Sequence, residues 1–173
     1  MIGLPERGRA TRLLLVRHAE PDESLHGRCY GSLDVPLSAA GLRRAAAVGE
    51  LLRDHDVAAV YTSPLQRAFE TARAVATAHG LEPVPRDNLR ELDFGAVEGM
   101  RFDEIASAHP ELYRFWMEDP ASVRFPGGEG LADLRERVLP EVAEIRARHE
   151  AQSTAVVAHG GVVRVVLADA LDL

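Results

Sequence analysis

The sequence predicts an α/β fold of three layers, a mostly parallel central sheet with helices on both faces. Three observations predict it. The strand-length apolar runs are continuous rather than alternating, as strands covered on both faces require. Helix-length segments separate them, which calls for crossover connections between parallel strands. The chain of 173 residues has no internal repeat or low-complexity linker, so residues 1–173 form a single domain.

Arg12 to Arg17 reads as the first buried strand, and a loop carrying Pro21, Gly27, Gly31 and Pro36 follows it. Ser38 is an N-cap for a helix to about Asp54, with Leu42, Ala45, Ala46, Gly49 and Leu52 on one face. Val57 to Tyr61 is the second strand. Ser63-Pro64 then pairs a capping residue with proline at the first helical position, starting a helix that runs to His79 and is closed by Gly80. Glu82 to Arg86 is a short strand whose two prolines assign it to an edge. Short helices are expected over Phe102–Ala108 and Pro110–Glu118, and a long one over Leu131–His149 that Pro140 should kink or divide. Thr154 to Ala158 is the next buried strand, and Gly160 to Ala170 the helix after it.

The 20 basic and 27 acidic side chains leave a net charge of −7, which argues against nucleic acid or an anionic membrane as partner. No run approaches the roughly 20 apolar residues of a membrane span, and Met1 to Thr11 lacks the apolar stretch of a secretion signal. Cys29 is the single cysteine, so an internal disulfide and a cysteine-rich zinc site are both excluded. These features together predict a cytoplasmic protein, monomer or homodimer. Every basic residue is arginine, a pattern of coding bias, so the position of an arginine counts for more than its presence.

Ligands of parallel sheets gather beyond the carboxyl ends of the strands. The first strand delivers Arg17 and His18 there, the second Ser63, Pro64 and then Arg67, and the third His159 with Gly160 and Gly161. Taken singly, each has a plain structural reading. Arg67 could pair with Glu70 on its helix, either histidine could be bonded within the core, and the glycines could make only a tight turn. Together they suggest a phosphoryl group, because arginine forks match phosphate oxygens and a helix start offers free N–H groups. Neutral imidazole is also a nucleophile near neutral pH. The leaving alkoxide needs a proton, for which Glu91 is the best placed carboxyl, with Asp93 and Glu98 in reserve.

The blocks that carry these residues run in order: Leu14-Leu-Val-Arg-His-Ala-Glu-Pro21, Gly31-Ser-Leu-Asp-Val-Pro-Leu-Ser-Ala-Ala-Gly41, Thr62-Ser-Pro-Leu-Gln-Arg-Ala-Phe-Glu-Thr-Ala72, Glu91-Leu-Asp-Phe-Gly-Ala-Val-Glu-Gly99, Pro126-Gly-Gly-Glu129 and Val157-Ala-His-Gly-Gly-Val162. In this they resemble the histidine phosphatase superfamily, also called phosphoglycerate mutase-like, and within it most nearly the alpha-ribazole and broad-specificity phosphatases. The resemblance implies that His18 is transiently phosphorylated and that Glu91 donates the proton. It assigns Arg17, Arg67 and His159 to the phosphate pocket, with Ser24 and Gly160 as further contacts. A small phosphorylated metabolite is then the substrate, alpha-ribazole 5'-phosphate being one candidate. The alternatives are a cofactor-dependent phosphoglycerate mutase and a non-catalytic phosphate-binding module. No cofactor is expected, and no metal either, since histidine metal sites favour i,i+4 pairs and the seven histidines offer none.

The sequence departs from the family pattern at three places. Ala19 stands where glycine usually follows the catalytic histidine, which is tolerable if the backbone is not left-handed there. Ser24 stands where asparagine is common, and the chain stops at Leu173, earlier than relatives usually do. Six of the nine aromatic residues (Phe94, Phe102, Tyr113, Phe115, Trp116 and Phe125) fall between 94 and 125. That concentration predicts a helical cap at about 94–126 that touches the substrate beyond its phosphate, or else a satellite core. Cys29 has no arginine following in its loop, and Ser63 lacks the glycines of a nucleophile elbow, so neither is a candidate nucleophile.

Overall fold

The computed structural model describes residues 10–173; the opening segment on which the expectation of no secretion signal rests lies almost wholly outside them. These residues form a parallel sheet of four strands, β1 (Arg12–Arg17), β2 (Val57–Thr62), β3 (Pro83–Pro85) and β4 (Ser153–Ala158), in the order β1-β4-β2-β3. The helices are α1 (Ala39–Leu52), α2 (Gln66–Ala78), α3 (Phe102–Ala108), α4 (Pro110–Glu118), α5 (Leu131–Arg148) and α6 (Gly160–Ala170). None of them is long and apolar enough to cross a membrane.

The alternation of side chains along each strand builds two cores. Leu14, Val16, Val60, Ala155 and Val157 face α1 and α2, where they meet Leu52, Ala72, Val75 and Ala76. Leu13, Leu15, Tyr61, Val156 and Ala158 face the other way, onto Leu134, Val138, Ile145, Val162 and Val165 of α5 and α6. Each face is therefore covered, which is why these strands read as unbroken apolar runs. β4, with a neighbour on either side, is buried from Thr154 onward, whereas β1 is only half-buried. The expectation of full burial fails for β1 because it is an edge strand, with one neighbour to cover it.

Two local expectations also need correction, and of the two outcomes offered for Pro140 one is excluded. The inward stripe of α1 is Gly41, Ala45, Gly49 and Leu52, while Leu42 and Ala46 are exposed. A side chain at Gly49 would begin 2.6 Å from the carbonyl oxygen of Ala74, so α1 can approach α2 this closely only with glycine there. Ser38 caps α1 as expected, accepting the Gly41 N–H at 2.9 Å. Ser63, by contrast, caps no residue within the helix: its hydroxyl accepts the Leu65 N–H at 3.3 Å, and α2 begins at Gln66, whose N–H is taken at 2.7 Å by Asp34 from a distant loop. Pro140 leaves α5 continuous from Leu131 to Arg148, so the helix is not divided. Pro140 is solvent-exposed, on the side of α5 away from the buried Val138, Val142 and Ile145.

Candidate active site

Three strands end side by side, and the residue just past each end faces the same rim. The pairing of β1 with β4 carries on for one residue, with the His18 N–H donating to Ala158 at 2.9 Å. On the other side of β4 the Ser63 N–H donates to Val157 at 3.1 Å. His18 and His159 are thereby brought ring to ring, centroids 5.1 Å apart.

The tautomer of His18 follows from its surroundings. Its Nδ1 lies 2.7 Å from the carbonyl oxygen of Ala19, which can only accept, so Nδ1 carries the proton and Nε2 keeps a free lone pair. Burial, aided by the charges of Arg67 and Arg17 and opposed by the Ala19 bond, lowers its pKa to about 4. The ring is therefore neutral at physiological pH. Ala19 avoids the left-handed region, since among the described residues the non-glycines with positive φ are Ala151 and Asp172. Its N–H is held at 3.0 Å by the Thr71 hydroxyl, itself donated at 2.8 Å to the Arg67 carbonyl. Sequence reading missed Thr71, although its place one turn after Arg67 is a visible signal.

Arg67 is fully buried and does not pair with Glu70, whose carboxylate accepts the Leu37 N–H instead. Two of its nitrogens donate to Leu33 and Gly31 carbonyls at 2.6 and 2.7 Å, while Nε is buried without a partner. His159 is also fully buried. Its Nε2 lies 2.8 Å from the Ser63 hydroxyl and its Nδ1 has no partner. Burial, then Arg67 and His18, push its pKa well below the usual value. Each orphaned polar nitrogen costs about 1–3 kcal/mol unless something polar reaches it. Ser63, read from sequence as a cap, is thus the partner of His159.

A cavity of about 660 Å³ opens at this rim, lined by Arg17, His18, Glu91 and Gly160 among others. Arg67 and His159 are not part of that lining; His159 meets it through His18, and Arg67 through Tyr30, with its guanidinium 5.2 Å from the centre of that ring. Of the three carboxyl candidates, Glu91 alone lines the cavity among the described residues. It is oriented by the N–H groups of Leu92 at 2.9 Å and Gly161 at 3.1 Å. Asp93 is turned to the Gly95 N–H, and Glu98 gathers those of Gly31, Ser32 and Phe94. Gly160 lies beside Arg17, a side chain there beginning 3.7 Å from the guanidinium. Ser24 is exposed on a short 3-10 turn, its N–H on Asp22, and is not brought to the cavity.

Phe94, Phe102, Trp116 and Phe125 form the far wall of the same cavity. They pack against one another tilted or edge to face, at centroid separations of 4.8 to 5.8 Å. Phe115 is exposed and Tyr113 packs into the core beneath. Arg28 and Arg164, which the sequence did not single out, also line the space. Cys29 is there too, but burial first and then nearby carboxylates push its thiol up to about 12, which rules it out as a nucleophile at neutral pH.

Known proteins share the sequence and the fold of this chain. Over 148 residues the chain is 39% identical to Phosphoserine phosphatase 1 of Hydrogenobacter thermophilus, covering 86% of this chain and 70% of that one. Other curated relatives are 42% identical, and the chain spans 46% of their length. Among solved structures, the mycobacterial glucosyl-3-phosphoglycerate phosphatase Rv2419c superposes with a TM-score of 0.88 at 32% identity, over 95% of this chain and 81% of that one. The alpha-ribazole phosphatase of Shigella flexneri gives 0.80 at 30% identity, over 91% and 78%. The family model described as histidine phosphatase superfamily (branch 1) matches residues 13–173, nearly all of the sequence that builds the sheet and its rim, and the chain belongs to that superfamily.

Proposed function

We propose that this histidine phosphatase hydrolyses a small phosphomonoester in two steps through a phosphohistidine at His18. One observation carries the reading: a neutral imidazole with Nδ1 committed to Ala19 presents its free Nε2 to a cavity that also holds Arg17 and Glu91. In the first step Nε2 attacks phosphorus in line and the ester P–O bond breaks. Protonated Glu91 gives its proton to the departing alkoxide. In the second, the Glu91 carboxylate takes a proton from water as its oxygen attacks the phosphohistidine. The P–N bond breaks, phosphate leaves and Nε2 regains its lone pair. Arg17, Arg67 and His159, with Gly160, are the groups we assign to the charge on the phosphoryl oxygens; the unpartnered Nε of Arg67 and Nδ1 of His159 support this. Ser24 has no such support.

In this reading residues 94–126 act as a cap whose aromatic wall holds the part of the substrate beyond phosphate. Alpha-ribazole 5'-phosphate, phosphoserine and phosphoglycerates are the esters to compare, in a protein taken to be cytoplasmic. Rapid acid-free quenching with a labelled ester should trap an acid-labile, base-stable label on His18, absent in His18→Ala. Turnover without such a label would overturn the proposal.

A further inference from the structure

Glu91 sits in a stretch without regular structure, between 3-10 turns at Asp87–Leu89 and Gly95–Val97. Neighbouring N–H groups orient its carboxylate, but they do not fix where its backbone lies relative to the sheet. That task falls to a side chain from another element. Arg137 of α5 has five N–H donors, and all five are used here. Nη1 donates to the Asn88 and Arg90 carbonyls, each at 2.8 Å. Nη2 donates to the Glu91 carbonyl at 2.9 Å and to Glu129 Oε2 at 2.8 Å, while Nε donates to Glu129 Oε1 at 2.8 Å. Glu129 extends the grip, its Oε2 accepting the Asp93 N–H at 3.0 Å and its own N–H donating to the Asp93 carbonyl at 2.8 Å. One bidentate ion pair thus holds the backbone at 88, 90, 91 and 93.

We propose that Arg137, locked by Glu129, is the positioning residue for Glu91, setting the reach of that carboxyl to the ester oxygen. The proposal rests on the reading of Glu91 as proton donor. A displaced acid hurts most where the leaving group most needs a proton. An error of about 1 Å in a reacting group can cost on the order of 100-fold. A clamp with a merely structural role would instead lower stability and slow all esters alike.

The test compares kcat/KM for an alkyl phosphate and for p-nitrophenyl phosphate, since kcat/KM reports the first phosphoryl transfer for both. Arg137→Lys keeps the charge but loses the planar fork, and Glu129→Gln keeps an acceptor but loses the ion pair. Either variant should lower the alkyl value roughly tenfold or more while changing the aryl value less than about threefold. Vanadate affinity should stay the same. Placed in a Glu91→Gln background, Arg137→Lys should no longer change the alkyl-to-aryl ratio. Equal losses on both esters, or an undiminished effect in that background, would overturn the role. A Glu91→Gln enzyme that shows no alkyl-to-aryl difference would instead remove the proton-donor reading, and the clamp's role with it. Should Glu129→Gln fail to fold, Arg137→Lys in both backgrounds decides the matter alone.

Discussion

At the scale of single residues, the chemistry depends on opposite treatment of two groups that look alike in sequence. His18 and His159 both follow a strand end, yet one ring keeps its Nε2 free on the cavity and the other has its Nε2 on Ser63. The lowered pKa of His18 gives a direct prediction. In the free protein, its ring resonances followed by NMR should titrate near pH 4 rather than near the ordinary value of 6.5. A midpoint at 6.5 would mean that burial and the two arginines do not hold the ring neutral. Glu91 yields a second prediction, because an aryl leaving group needs little protonation. Glu91→Gln should lower kcat/KM for alkyl phosphates by about 100-fold or more, and much less for p-nitrophenyl phosphate. Equal losses would take Glu91 out of the acid role. The residues themselves were visible in sequence, but spacing alone did not decide among Glu91, Asp93 and Glu98; the choice of Glu91 rested on the family resemblance. Only the fold shows that, among the described residues, Glu91 lines the cavity while Asp93 and Glu98 turn to backbone N–H groups away from it.

At the scale of elements, the α6 start shows how a helix boundary and a catalytic group share space. A side chain at Gly161 would begin 2.4 Å from Glu91 Oε1 and 3.0 Å from Leu134 Cδ2. The nearer obstacle is the far end of a flexible side chain, so Gly161→Ala should fold, with stability changed by no more than about 1 kcal/mol. Activity should nevertheless drop roughly 10- to 100-fold as the carboxylate swings away. Unchanged activity with the alanine in place would show that this position of Glu91 is not the working one. The strands and helices were legible because apolar period and turn residues are local signals. Errors arose where a distant partner decided the outcome. Asp34 caps α2 from 32 positions away, which frees Ser63 for His159. Likewise Gly41, not Leu42 or Ala46, joins Ala45, Gly49 and Leu52 on the inward face of α1, because close backbone approach outweighed side-chain apolarity. The Arg137–Glu129 clamp was illegible for the same reason: although Glu129 lies in a recognisable block, the Asn88, Arg90 and Glu91 carbonyls that Arg137 holds are acceptors no motif encodes.

At the scale of the whole molecule, burying neutral imidazoles makes the stability of the fold depend on pH. In the unfolded chain His18 and His159 titrate near 6.5, whereas folding lowers His18 to about 4 and His159 well below its ordinary value. Above about pH 6.5 neither state binds these protons and stability is unaffected. Below it the unfolded chain takes them up and the folded one does not, so stability falls as the pH drops from 6.5 toward 4. Each imidazole contributes a slope of at most about 1.4 kcal/mol per pH unit. Glu129 adds its own loss further down, because its carboxyl is held below the ordinary range despite partial burial, by Arg137 and the Asp93 N–H. Urea unfolding in phosphate-free buffer should therefore show a midpoint that is level from pH 8 to 7 and declines from 6.5 to 5. Phosphate must be absent, because a ligand of the folded state would mask the decline. His18→Gln removes one of the two imidazoles and should reduce the steepness of that decline while leaving its onset in place. An unaltered decline in His18→Gln would mean that His18 takes up its proton as readily in the folded protein as in the unfolded chain, and the neutral nucleophile would lose its physical basis.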